Sequence, residues 1–114
     1  WQKTLELRLS VVYLIVKVEK DAVFTAEFTI LDSNSVTRRF RVSTFQKELH
    51  VDENICCLPL HIERDVWTMI PVDLAELTQK NYPRSTFHST TRVQIHGNCR
   101  LRRVFFADKI YIES

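Results

Sequence analysis

The sequence predicts an all-β fold, an antiparallel β-sandwich or jelly roll with one short helix. Several short segments alternate apolar and polar residues with the period of a half-buried strand. Turn-forming clusters such as Asp32-Ser33-Asn34-Ser35 separate them, and strands do not alternate with long helical patterns. About seven strands are therefore expected, packed as an antiparallel sandwich in one domain.

The first two strands are predicted from this alternation. Residues 5–11 alternate, and the apolar run continues through Val16, which predicts one strand that becomes covered on both sides. The second strand spans residues 23–31. Its core-facing residues are Phe24, Ala26, Phe28 and Ile30.

The register of the next hairpin is predicted from the charges that follow the turn. A three-residue loop at residues 32–34 sets Ala26 opposite Phe40 and Glu27 opposite Arg39 on the outer side. A two-residue loop would instead bury the charge of Arg39. The longer loop, and a Glu27–Arg39 ion pair, are therefore expected.

The middle of the chain is predicted to hold a loop and two more strands. Residues 46–54 are polar and indicate a surface loop. Residues 55–62 form a strand in which Pro59 lies at an edge or a bulge, because proline cannot donate to a sheet ladder. Residues 67–74 form another strand.

A short helix is predicted after residue 73. Asp73 and Glu76 have the spacing of a capping box, and Leu74 and Leu77 lie on one side of the turn that follows. Pro83 prevents a long continuation. One or two helical turns are expected.

Residues 92–109 are predicted to form a strand pair with a basic edge, joined by a short polar connection. Strict alternation cannot place Leu101 and Val104 on the same side. A β-bulge at Arg102-Arg103 would reconcile them and direct both guanidinium groups outward.

The composition excludes several classes of protein. Apolar residues make up 45% and charged residues 26% of 114 residues, which is typical of a globular domain. The apolar runs are too short for a membrane helix. Three cysteines, two of them adjacent, do not form a disulfide framework, which favours a reducing compartment. The chain begins at Trp1 without an initiator Met, so it is expected to be part of a longer protein.

Neither a metal site nor a catalytic site is expected. Cys57 and His61 lie four residues apart on a strand, roughly 13 Å, too far to share an ion. No G-x-S-x-G nucleophile motif occurs, and the single glycine, Gly97, leaves few close approaches to a substrate. The sequence therefore predicts a protein that is not an enzyme and needs no cofactor.

The positive charge is concentrated in two segments. The net charge is +2, yet residues 36–47 and residues 92–109 each contribute +4, which leaves about −6 for the rest. Arginine binds carboxylates and phosphates through its planar fork, so we expect the two segments to share one outer side that contacts an anionic partner. Nucleic acid is not favoured, because the neighbouring phenylalanines alternate inward.

These basic segments resemble the cilia- and flagella-associated protein 20 family. The residues that bear the resemblance are Thr37–Ser43, Arg92–Asp108, Trp67 and the Asp73-Leu74 helix start. The similarity covers nearly the whole chain but only the C-terminal part of a family member. Residues 1–114 are therefore expected to be the C-terminal part of one β-sandwich domain. Residues 46–54 bear little likeness to the family's small member, which indicates a divergent paralogue.

The resemblance implies a structural role without catalysis. Members of the family look like β-sandwich subunits of the ciliary and flagellar axoneme. The resemblance implies binding to α/β-tubulin and a place at the doublet inner junction, where the A- and B-tubules join, beside the parkin co-regulated gene product. Cytoskeletal location at the axoneme, the basal body or the centriole is implied, without a membrane. The expected partner-binding residues are Arg38, Arg39, Arg41, Arg92, Arg100, Arg102 and Arg103.

The alternative is a β-sandwich module that binds another ligand, either carbohydrate or nucleic acid. Carbohydrate binding would require an exposed aromatic platform. Trp67 is the first residue at which such a platform is expected.

Overall fold

A computed structural model describes residues 2–109, with side chains from residue 8 onward. Within this range it contains nine β-strands and one α-helix. They are β1 (Gln2–Leu7), β2 (Val11–Val18), β3 (Phe24–Asp32), β4 (Thr37–Ser43), β5 (His50–Val51), β6 (Ile55–Pro59), β7 (Trp67–Asp73), α1 (Leu74–Asn81), β8 (Phe87–Gly97) and β9 (Cys99–Ala107). The predicted all-β fold with one short helix is confirmed.

The strands form two sheets. One has six strands in the order β1-β8-β3-β4-β6-β5, and the other has three in the order β7-β2-β9. The paired strands are antiparallel except for β4 and β6, which run parallel. In the described part of the chain β7 and β9 pair only with β2, so each has one open edge.

One hydrophobic core lies between the two sheets. Phe28 and Phe40 enter it from the six-stranded sheet, Leu14 and Val16 from the three-stranded sheet, and Leu74 from α1. All five are fully buried, and each contributes roughly 2 kcal/mol of transfer free energy. Because both sheets send alternate residues into one core, the intervening residues point away from it on opposite sides of the sandwich.

The predicted single strand over residues 5–16 is wrong, because the chain breaks at residues 8–10 and changes sheet. β1 pairs with β8 in the six-stranded sheet, whereas β2 is the central strand of the other. In the break, the Ser10 carbonyl accepts a hydrogen bond from the Leu74 N–H at 2.8 Å. Beyond it both sides of β2 are covered, as expected, and even the outward-facing Tyr13 is only 3% exposed.

The β3–β4 hairpin has the predicted loop length but not the predicted register. Its three-residue loop lies at residues 33–35, one residue later than expected, so Ala26 faces Val42 instead of Phe40. Ser35 supplies the left-handed conformation, with φ of 62°, that ends such a loop. Because the shift is two residues, each side chain keeps its predicted side of the sheet.

The predicted strand pair in residues 92–109 is wrong in its pairing. β8 lies between β1 and β3, whereas β9 pairs with β2 in the other sheet. The chain crosses between the sheets at Gly97, where φ is 108° and a Cβ atom would lie 2.0 Å from the Val23 carbonyl oxygen. This close approach requires glycine.

The predicted bulge in β9 is confirmed. Ile15 faces Arg103 and Val16 faces Leu101, so Arg102 is the extra residue on this strand. Leu101 packs against the core. Both arginines are exposed, as expected.

The middle elements agree with prediction apart from their limits. The strand predicted to end at residue 62 ends at Pro59, and the loop predicted at residues 46–54 contains the two-residue strand β5. Asp73 caps α1, accepting a hydrogen bond from the Glu76 N–H at 3.1 Å. The helix therefore begins where the capping-box spacing placed it.

A fully buried carboxylate, that of Asp32, fixes the end of β3. Its Oδ1 accepts hydrogen bonds from the N–H groups of Asn34 and Val36, each at 2.9 Å. Its Oδ2 accepts from Ser85 Oγ at 2.8 Å and Arg38 Nε at 3.0 Å. Burial by itself raises the pKa of Asp32, but these hydrogen bonds together outweigh it and lower the pKa below its usual range.

Arg38 extends the same cluster to the helix and to the loop before β6. Its Nη2 donates to Ser85 Oγ at 3.0 Å, and its Nη1 donates to the Glu53 carbonyl. Its guanidinium carbon lies 4.1 Å from the centre of the Tyr82 ring. The Arg38 side chain is only 14% exposed, so it joins three segments of the chain inside the fold.

Replacing Asp32 with asparagine should lower the free energy of unfolding by about 3 kcal/mol at pH 7, because Arg38 would be left buried without its counter-charge. The lowered pKa of Asp32 means that this contribution is complete above the ordinary carboxyl pKa of about 3.9 and is lost as the pH falls through the lower folded value. The free energies of unfolding of the wild type and of Asp32→Asn, measured with urea, should therefore converge in acid. Glu48→Gln, at an exposed carboxylate, is the control. A difference that is equal at pH 7 and pH 2.5 would contradict this role.

The three cysteines are free thiols that differ in burial. Cys56 is fully buried, and burial, followed by the adjacent Cys57, raises the pKa of Cys56 to about 11. Burial also raises the pKa of Cys99. Cys57 is only partly buried and points to the outer side of β6.

In the folded protein at pH 8, iodoacetamide should label Cys57 before Cys56. With its pKa near 11, about 0.1% of Cys56 is thiolate at that pH. Peptide mapping of briefly labelled protein measures both rates, and guanidinium-unfolded protein supplies the control in which the difference disappears. Equal labelling of the two thiols in the native state would show that Cys56 is not sealed in the core.

Candidate functional site

The outward-facing basic residues lie on two surfaces, one on each sheet. The large-sheet face is the outer side of the six-stranded sheet and includes Glu27, Arg39, Arg41 and Arg92. The small-sheet face is the outer side of the three-stranded sheet and includes Ile15, Lys17, Trp67, Met69, Arg100 and Arg103. Both faces result from strand alternation against the shared core.

On the large-sheet face, one carboxylate holds two arginines. Glu27 is 8% exposed. Its Oε1 lies 3.2 Å from Arg39 Nη1, and its Oε2 lies 3.2 Å from Arg41 Nη2. The predicted Glu27–Arg39 pair is confirmed, although the residue directly opposite Glu27 is Arg41. Since two cations share one anion, this group remains positive and its guanidinium groups are held in place.

Arg92 extends this face by one strand. Thr29 of β3 faces Arg39 on one side and Arg92 on the other, so both arginines lie at the same level of the sheet. Arg92 is partly buried, and its Nε has no hydrogen-bond partner among the described residues. A third cation therefore lies beside the Glu27 group.

The small-sheet face is arranged in rows across β7, β2 and β9. The first row is Trp67, Lys17 and Arg100, the second is Met69, Ile15 and Arg103, and the third is Pro71, Tyr13 and Phe105. Apolar side chains therefore occupy the β7 side and arginines the β9 side. The face is mixed in chemistry, unlike the large-sheet face.

Two contacts orient the arginines of the small-sheet face. The Phe105 ring stacks on Tyr13, with 4.8 Å between centroids, and the Arg103 guanidinium lies 5.1 Å from the Phe105 centroid. Arg100 Nε lies 3.8 Å from Glu19 Oε1, but both side chains are mostly exposed. An ion pair of this kind contributes little, so Arg100 remains available to a partner.

The expectation that both basic segments share one outer side holds for Arg92, which lies beside Arg39, but is wrong for Arg100 and Arg103. Arg39 and Arg41 alternate with Phe40, which enters the core from the six-stranded sheet. Arg103 faces Ile15, whose neighbours in β2 enter the same core from the other side. The two arginine groups therefore lie on opposite surfaces of the sandwich.

The seven arginines expected to bind a partner also differ in accessibility. Arg39, Arg41, Arg92, Arg100, Arg102 and Arg103 face outward on the two sheets or at the β9 bulge. Arg38 instead points to the same side as Phe40 and is enclosed by Asp32 and Tyr82. Each of its three guanidinium nitrogens donates a hydrogen bond within the fold, so Arg38 has a structural role here.

Two large apolar side chains on β7 are exposed, of which the sequence analysis singled out Trp67 but not Met69. Trp67 is 46% and Met69 is 49% exposed. This exposure could have been predicted from strand alternation, because Trp67 and Met69 lie on the opposite side of β7 from the buried Ile70 and Val72. Sequence reasoning assigned this strand correctly but did not identify which of its sides faces solvent.

A cavity of about 270 Å³ lies between β6, β7 and α1, lined mostly by apolar side chains such as Leu58, Leu60 and Ile70. Two acids, Asp73 and Glu76, also line it, and Asp73 is engaged as the helix cap. Among the described residues, no three His, Cys, Asp or Glu side chains come together as a metal site. No helix in residues 2–109 is long and apolar enough to cross a membrane.

Comparison with known proteins gives one consistent family. Residues 1–114 match the model of the CFA20 domain. Cilia- and flagella-associated protein 20 of Paramecium tetraurelia is 38% identical over 99% of this chain and 58% of its own length. The protein of the same name from Chlamydomonas reinhardtii is 37% identical over 98% of this chain and 57% of its own length. For Caenorhabditis elegans the identity is 36%, over 98% of this chain and 54% of the relative.

The chain thus spans a little more than half the length of these curated relatives. The family model, by contrast, covers every residue, including both basic segments and the strands that position them. The chain belongs to the CFA20-domain family.

Proposed function

We propose that this chain is a structural, non-enzymatic domain of the ciliary and flagellar axoneme that binds tubulin and links two acidic surfaces. It would act as the C-terminal part of a larger β-sandwich domain. The single observation on which this rests is that outward-facing arginines lie on opposite sides of one rigid sandwich. A linker requires this arrangement, because one face can bind each surface.

The dimensions agree with such a role. The molecule measures 40 × 30 × 29 Å, and its two outer faces are separated by the thickness of two packed sheets and their side chains. Surfaces bound to opposite faces would be held within about 30 Å of each other. Adjacent tubules joined along a seam need a short, stiff spacer of this kind.

The charges fit an acidic lattice. Tubulin is strongly acidic, and arginine is desolvated more easily than lysine and binds carboxylates in a bidentate manner. Individual exposed ion pairs contribute at most about 1 kcal/mol. When both faces of one copy are in reach of acidic surfaces, the second contact forms within the same assembly, so that several small contributions combine.

The relatives' name, cilia- and flagella-associated protein 20, supports a ciliary location for this chain. By the resemblance, the doublet inner junction is the proposed position, and neighbouring junction proteins such as the parkin co-regulated gene product are proposed partners. The alternative, a module for carbohydrate or nucleic acid, predicts no binding to microtubules even at low salt.

The chain should pellet with taxol-stabilised microtubules at low salt and dissociate as salt rises, because the Debye length falls from about 10 Å at 0.1 M to 3 Å at 1 M. Changing Arg102 and Arg103 to Glu should weaken binding about tenfold, since attraction becomes repulsion on that edge. The control changes two exposed loop cations, Lys47→Glu and Arg84→Glu, with the same change in net charge. An equal loss of microtubule binding in both variants would show that only the net charge of the chain matters, and not the position of Arg102 and Arg103.

The wild-type chain should also cross-link microtubules into bundles, because its two faces can bind different filaments. The quadruple variant Glu27→Gln, Arg39→Gln, Arg41→Gln, Arg92→Gln removes the carboxylate of the large-sheet face together with the three arginines around it, so that none of these groups is left as an unpaired ion. It should still pellet through the small-sheet face but should form far fewer bundles in electron micrographs. Undiminished bundling by this variant would show that the large-sheet face is not a second contact.

A further inference from the structure

Two large apolar side chains are exposed side by side on the small-sheet face. Trp67 is 46% and Met69 is 49% exposed, and they lie two residues apart on the same side of β7. Val66, just before the strand, is 39% exposed. Single exposed apolar residues are common, but adjacent ones on a flat sheet often mark an interaction surface.

The apolar surface continues across the central strand. Ile15 lies between Met69 and Arg103, and Tyr13 lies between Pro71 and Phe105. The stacked Tyr13 and Phe105 rings fill the third row. Tyr13 itself is only 3% exposed, so the accessible apolar strip consists of Trp67, Met69 and the partly exposed Ile15, and it is supported by paired backbone.

Cations border this strip on one side. Lys17 and Arg100 complete the row of Trp67, and Arg103 completes the row of Met69. Opposing them, Glu19 is paired with Arg100 at 3.8 Å, and the acid at the far end, Asp73, caps α1. The border facing a partner is thus positive.

The large-sheet face lacks this combination. Its Arg39 and Arg41 are held by Glu27, and its neighbouring outward residues on β3 are threonines. Arg92 on the large-sheet face has an Nε without a partner among the described residues, but it lies beside Thr29 and Arg39 and not beside an exposed large apolar side chain. The two faces are therefore suited to different kinds of contact.

We infer that the small-sheet face is an interface for a protein surface whose apolar centre is bordered on one side by carboxylates. A second copy of this chain does not fit, because the described residues of its own small-sheet face offer these cations no free carboxylate: Glu19 is paired with Arg100 and Asp73 caps α1. This inference deepens the proposed function, and it rests on it for the identity of the partner, an acidic tubulin lattice. It assigns Trp67 and Met69 as contact residues in addition to the arginines.

Met69 permits a test in which charge and apolar contact have opposite effects. In Met69→Lys, an added cation would strengthen binding to an acidic lattice if charge alone mattered. Loss of apolar contact should instead weaken microtubule pelleting about tenfold or more. Leu49→Lys is the matched control, since Leu49 is 52% exposed in a loop outside both faces; its binding should be unchanged or slightly tighter.

A second measurement uses the wild-type chain and does not depend on folding of a variant. Met69 is the one methionine in the sequence, and conversion to the sulfoxide requires access of the oxidant to its sulfur. Peptide mapping after brief peroxide treatment, with and without microtubules, should show Met69 oxidised several-fold more slowly in the bound state. For the first test, a circular dichroism spectrum that matches the wild type would verify that Met69→Lys is folded.

The outcomes separate the two proposals. Pelleting with protection of Met69 and loss of binding in Met69→Lys supports the interface. Pelleting of the wild type with no protection, and with Met69→Lys binding as tightly as Leu49→Lys, overturns the interface and leaves the proposed function standing. Absence of wild-type pelleting at low salt overturns the proposed function and this inference together.

Discussion

The arrangement of the molecule depends on one constraint, the shared core between the two sheets. Phe40 and Leu14 must both enter it, from opposite sides. Strand alternation then directs Arg39 away from the core on one surface and Ile15, with Arg103 beside it, on the other. The two-sided distribution of positive charge is therefore a consequence of packing, and it cannot be changed without changing the core.

Arginine side chains serve three different purposes in this fold. Arg38 is nearly enclosed, bound to Asp32 and stacked on Tyr82, where it joins separate segments. Arg39 is half-exposed and shares Glu27 with its neighbour on β4. Arg102, the extra residue of a bulge, is exposed at an open strand edge, where charge and irregular backbone also prevent pairing with other chains. Arginine content alone would not distinguish these environments.

Local patterns predicted the elements well, and nonlocal pairing explains what they missed. The alternation in β3, the helix cap at Asp73 and the bulge at Arg102 each depend on neighbours in sequence, and each was predicted. The membership of β8 and β9 in different sheets depends on the close approach of Gly97 to Val23, about 75 residues away in sequence. The hairpin register was missed because the left-handed residue that ends the loop is Ser35, one residue beyond the predicted loop. For the site, composition indicated arginine-rich surfaces but could not separate the enclosed Arg38 from the exposed residues.

The interface proposed on the small-sheet face also illustrates why charge alone is an incomplete description of binding. Exposed arginines attract an acidic surface over a distance of roughly one Debye length, but they bind it in many orientations. The strip formed by Trp67, Met69 and Ile15 is fixed by the backbone ladder of β7 and β2, and an apolar strip gains free energy only where the opposing surface excludes water from it. Charge would thus accelerate encounter, while the strip would select one orientation. A spacer repeated along a filament needs both, because copies bound in different orientations could not hold a second filament at a constant distance.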